Sequence, residues 1–200
     1  QMKPVEIEVE KAMTLVGWLD WEKLEVGWQD RVRQGLEPRV LDRGGGKNLI
    51  PDSGLNNFGT VESLPIGNGS GGGAIYFNLF RSFLGVSANT VDPVISDTIL
   101  DGEFARTGTN GGFGGEEGSA FFQDSGNNLL RCEATIVRVY TASSPVNIGK
   151  VGLFSTISGG TASVLARPKD VGGTPQVISL DAGQAIKFKH KLVIELPWQV

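Results

Sequence analysis

Chemistry-bearing side chains are scarce in this sequence of 200 residues. It has one histidine, His190, and one cysteine, Cys132. A lone cysteine forms no internal disulfide, which fits a reducing compartment or assembly inside a cell. One histidine and one cysteine fall short of the four nitrogen or sulfur ligands of a structural zinc site. Any Ser-His-Asp or Cys-His centre has only His190 to draw on. Positive charge is also short: 18 basic against 22 acidic residues give a net charge of −4. That leaves no broad basic field for nucleic acid. No segment approaches the ~20 apolar residues of a membrane-spanning helix, so no membrane partner is expected. The N-terminus lacks the basic start and apolar run of a secretory signal.

Glycine, in contrast, is abundant. Its 29 residues are roughly twice the usual ~7% share and favour turns over long helices. Hydrophobic residues make up 40% and charged residues 20%, the composition of a folded domain. Residues 5–10 read VEIEVE, with Val5, Ile7 and Val9 alternating with glutamates. That period of two marks a half-buried strand. Residues 13–35 suit a helix or a hairpin about equally by periodicity. Gly17 and Gly27 tip the reading towards strands, since each costs a helix ~1 kcal/mol relative to alanine.

The last third is patterned most clearly. LLRCEATIVRVY (129–140), KVGLFSTI (150–157), ASVLARP (162–168), QVISLD (176–181) and IKFKHKLVIELP (186–197) are separated by Gly, Pro and Asn turns. Five such runs predict an antiparallel sandwich or barrel. In the last run Ile186, Phe188, Leu192, Ile194 and Leu196 share one face, and His190 falls on that apolar side. The opposite face carries Lys187, Lys189 and Lys191. Such a row suits an edge strand guarded against wrong pairing better than it suits an anion site.

The remaining constellations read as framework. Gly67, Gly69 and Gly72 match G-x-G-x-x-G, but a dinucleotide site needs that motif between a strand and a helix, and the flanking rhythm is not βαβ. Asp97, Asp101 and Glu103 lack the spacing of an EF-hand loop and read as a solvated face. Glu116 and Glu117, neighbours in a glycine loop, lack the separation of an acid–base pair and read as solubilising. No catalytic, cofactor-binding or metal-binding residue is therefore assigned, and an enzyme is not expected. Trp18, Trp21 and Trp28 crowd the N-terminal segment. Core packing or a protein contact, where tryptophan is enriched, is the expected role, and on the contact reading they form the candidate interface with Val5, Ile7 and Val9. Stacking of these rings on a host surface glycan is the alternative.

KNLIPDSGLNNFG (47–59) holds Leu49, Ile50, Leu55 and Phe58 around a Pro-Asp-Ser-Gly turn, as a small apolar latch. This segment resembles one in structural proteins of tailed-bacteriophage virions. IGNGSG (66–71), SDTILDGEFART (96–107), NIGKVGLFSTISGGTASVLAR (147–167) and LDAGQAIKFKHKL (180–192) resemble further motifs of that family, in the same order. The resemblance spans roughly residues 44–196. It implies a β-rich component of the tail, neck or fibre region, located in the virion after assembly in the host cytoplasm. The partners it implies are other virion proteins and further copies of the chain, and it carries over no catalytic residue. The expected fold is mainly β: an antiparallel β-sandwich, jelly-roll-like, with an N-terminal extension and glycine-rich loops. The expected division is an attachment and oligomerisation segment at 1–43 and a sandwich domain at 44–200.

Overall fold

The run with the cleanest alternation in the sequence lies at the middle of the larger sheet. In a computed structural model, which describes residues 14–49, 83–124 and 129–197, five strands order around it. They are β1 (Thr14–Leu24), β2 (Val40–Asn48), β5 (Gly118–Asp124), β6 (Leu129–Thr141) and β11 (Ala185–Pro197). Their order is β2-β1-β11-β6-β5, and every pairing is antiparallel. A second sheet, β4-β3-β8-β9, is built from β3 (Phe83–Ser87), β4 (Glu103–Thr107), β8 (Lys150–Phe154) and β9 (Ala162–Ala166). The short strands β7 (Val146–Ile148) and β10 (Ile178–Leu180) pair with each other. The fold is mainly β and sandwich-like.

The core follows from alternation. Leu19, Trp21, Ile186 and Phe188 meet Leu84, Val86, Val151 and Ala166 across the two sheets. Ile148, Ile178 and Leu180 from the β7–β10 pair join the same cluster. Ala134, Ile136 and Leu192 continue it against Leu153 and Val164. A buried side chain of the size of Phe188 contributes about 1.5–3 kcal/mol, so these layers supply the main driving force for the fold. Two smaller clusters lie outside this core. Leu24, Trp28, Val139 and Ala185 pack with Val32 and Phe113. Leu100 packs on Phe154, Ala162 and Leu165.

Three expectations need correction. Residues 13–35 are not all strand: Gly27, at φ 81, ends the extended run, and a short helix α1 (Trp28–Arg33) follows. A positive φ costs glycine little, so the chain turns there and drops Trp28 into the outer cluster. The boundary expected at residue 43 falls inside β2. Moreover β1 is an inner strand, paired with β11 along its whole length, so residues 14–43 belong to the sandwich. Third, β11 is central rather than an edge. Val5, Ile7 and Val9, the Gly67–Gly73 loop and residues 50–59 of the latch lie outside the described residues. Leu49 does tie β2 to β9, exchanging backbone hydrogen bonds with Leu165 at 2.9 and 3.0 Å.

Candidate functional site

The lysine row is neutralised rather than guarding an edge. Because β1 and β11 are in register, Glu22 is the direct cross-strand partner of Lys187. The Lys187 ammonium lies 2.7 Å from Glu22 Oε2 and 2.9 Å from Glu116 Oε1. It also sits 4.6 Å from the centroid of the Phe113 ring, a cation–π distance. Lys189 reaches Glu116 at 3.5 Å, and Lys191 reaches Glu133 at 2.7 Å. Burial alone drives the Lys187 pKa down, but Glu22 and Glu116 outweigh it and hold the ammonium above its usual value. Burial pushes Glu116 up, and Lys187 with Lys189 outweigh it, so the carboxyl sits below its usual range. At Glu133 the hydrogen bond from Lys191 dominates and lowers the pKa. A lysine held protonated in this way has no free amine to act as a nucleophile.

Of these groups, Glu22, Glu116 and Lys187 line a cleft of about 430 Å³ between α1, residues 35–40 and the glycine loop at 112–116. Leu36, Pro38 and Val40 form one wall and Phe113 another, with Glu37 at the side. The volume lies in the ~300–1,000 Å³ range of small-molecule sites. Its polar groups, however, are largely committed to one another.

Glu116 and Glu117 are therefore not merely solubilising. Glu116 binds the lysine row. Glu117 accepts hydrogen bonds from the Arg138 guanidinium, the Val137 backbone N–H and Asn110 Nδ2. Arg138 is buried and also donates to the Val137 carbonyl. The glycine loop is thus clamped to β6 and β11.

His190 is fully buried on the apolar side of β11, between Leu19 of β1 and Ile136 of β6. Among the described residues neither ring nitrogen has a hydrogen-bond partner. Burial first, and the nearby Arg138 charge second, push its pKa down to about 3. The imidazole is neutral at physiological pH and enclosed from substrate-sized solutes.

The candidate interface tryptophans divide. Trp21 is 1% exposed and Trp28 is 3% exposed, so both belong to the chain's own core and not to a contact surface. Trp21 Nε1 donates to the Lys169 carbonyl at 2.8 Å. Trp28 stacks on Phe113 with centroids 6.0 Å apart. Trp18, half-buried, points to the opposite face of β1 from Trp21.

The surface that sequence reading missed is the connector from β3 to β4, residues 88–102. Val91, Val94, Ile95 and Ile99 are 67%, 54%, 56% and 58% exposed. The segment around them is fixed. Leu100 anchors it in the outer cluster on Phe154 and Leu165. The Thr98 carbonyl accepts from the Ala162 N–H at 2.8 Å, and the Asp97 carboxylate accepts from the Val94 N–H at 2.9 Å. Ser87 Oγ donates to the Asp101 carbonyl at 2.5 Å, and Asp92 pairs with Arg167 at 3.2 Å. Downstream, Glu103 holds Arg106 through two hydrogen bonds of 2.6 Å, and that guanidinium lies 3.5 Å from the Phe154 ring centroid. Asp97, Asp101 and Glu103 thus serve loop geometry and an ion pair. One sequence signal was available: β-branched residues recur here among turn formers without strand alternation.

Comparison with protein-family models, with curated proteins and with solved structures finds no match.

Proposed function

We propose that this chain is a structural component of a tailed-bacteriophage particle, in its tail, neck or fibre region, and that it acts by protein–protein assembly. The observation that carries the assembly role is the connector at 88–102. It holds four large apolar side chains in solvent on a backbone fixed by hydrogen bonds, an ion pair and a buried leucine. Four exposed apolar residues within one nine-residue stretch exceed the single scattered ones that are normal on a surface, and such clustering marks an interaction site. A patch ordered before binding avoids most of the conformational entropy cost of docking. The ordered motifs from KNLIPDSG to LDAGQAIKFKHKL support the phage particle as the setting. Within them, SDTILDGEFART is the segment that shapes and anchors the exposed connector.

The glycan-binding alternative loses support with Trp21 and Trp28, whose rings are packed inside the chain. The reading is tested by mass spectrometry of purified particles, and by electron microscopy of particles made without this chain. The expected result is recovery of the chain from intact particles and loss of density at one defined position. Particles that lack the chain, yet are complete and infectious, overturn the reading.

A further inference from the structure

We infer that residues 31–47 of one copy dock against residues 88–101 of a second copy, head to tail. This rests on the assembly reading above and names the partner of the exposed connector. The cations classed as exposed among the described residues all fall in the first segment: Arg31, Arg33, Arg39, Arg43 and Lys47. Only two acids, Glu37 and Asp42, lie within it. Arg31 and Arg33 are paired with Glu25 and Asp30, whereas among the described residues no ion pair engages Arg39, Arg43 or Lys47. Exposed Leu36, Val40 and Leu41 sit among these cations, at 48%, 39% and 41%.

The second segment has the opposite charge. Asp92, Asp97 and Asp101 lie near its four exposed apolar residues in sequence, with no cation in the segment. Asp92 contacts Arg167, yet its side chain stays 74% exposed. Both segments thus offer apolar surface, one ringed by positive and the other by negative charge. Such complementarity steers encounter and fixes register. The two segments also sit on different sheets, the first on the α1–β2 side of the larger and the second over the outer face of the smaller. A like-to-like contact of the connector sets its three aspartates against their own copies, which costs free energy. The favoured contact is therefore heterologous, the kind that closes into a ring or runs on as a filament.

The test is sedimentation velocity on the purified chain and two variants, Ile95→Glu and Arg39→Glu/Arg43→Glu. All three positions are exposed, and circular dichroism confirms that each variant is folded. If Ile95→Glu disturbs folding, Ile95→Ser replaces it. The wild type is expected to self-associate reversibly, less so in about 1 M salt than in about 0.1 M. Each variant alone is expected to lose association by at least about tenfold. An equimolar mixture of the two is expected to form dimers and nothing larger, because each variant keeps one intact surface. A wild type monomeric at all concentrations, association indifferent to both variants, or a mixture that stays monomeric overturns the inference. A chain recovered from particles but monomeric in solution ends this inference and leaves the assembly reading standing. A chain that associates but is absent from particles ends the assembly reading alone.

Discussion

His190 is the residue whose physics is most exposed to measurement. Its folded pKa of about 3 lies below the ordinary 6.5, so between those values the unfolded chain binds the proton that the folded chain excludes. Stability is therefore complete above pH 6.5 and falls as pH drops towards 3. Between pH 7 and pH 5 the loss is about 2 kcal/mol. His190→Leu removes the titration and the two unpartnered nitrogens, so its urea midpoint is expected to stay flat over that interval. A variant with the same acid slope as the wild type assigns the slope elsewhere. Gly44 gives a second test. A Cβ there meets the Lys169 carbonyl and Trp21 Nε1, the two ends of the hydrogen bond that closes the loop over Trp21. Gly44→Ala is expected to cost about 1–3 kcal/mol, read as a lowered melting temperature. The position of His190 on the apolar side was legible from alternation in its own strand. That its nitrogens lack partners was not, because this depends on Leu19 and Ile136, strands away in sequence. The burial of Trp21 and Trp28 was hidden for the same reason.

At the scale of elements, the loop at 108–118 is the informative case. Glu117 joins it to a buried guanidinium on β6. Glu117→Ala leaves Arg138 short of that carboxylate and is expected to destabilise the chain by on the order of 3 kcal/mol. Hydrogen exchange should then quicken at Gly111–Glu116 before it quickens in β6 and β11, and uniform quickening refutes a local clamp. Adjacent glutamates among glycines read as solvated because their cations come from residues 138, 187 and 189, which no local pattern connects to them. The five C-terminal runs were readable because each is bounded by Gly, Pro or Asn and keeps its period. The strands β4, β5 and β7 were not: GEFART carries an ion pair within the strand, GSAFFQD abuts the glycine loop, and VNI is too short to show a period. Sheet order was equally hidden. The lysine row of β11 pointed to an edge, and it lies at the centre because Glu22, Glu116 and Glu133 supply the opposite charge.

For the whole molecule, the decisive pairing joins β1 to β11, near the two ends of the described chain. The division expected at residue 43 failed because the tryptophan-rich start looked unlike the regular C-terminal third. Sandwich partners need not share composition; they need complementary faces. A chain truncated after Gly183 loses the central strand and leaves β1 and β6 with open edges, which template aggregation. It is expected to be insoluble. A soluble, cooperatively folding truncation at Gly183 refutes the central role of β11. The same pairing constrains biosynthesis. Ribosomes add ~5–20 residues per second, so on the order of ten seconds separate the emergence of Leu19 and Trp21 from that of Ile186 and Phe188. Until β11 is translated, the nascent chain has no middle to its larger sheet, and its first hydrophobic stripe waits for shelter from a chaperone or from the exit-site surface.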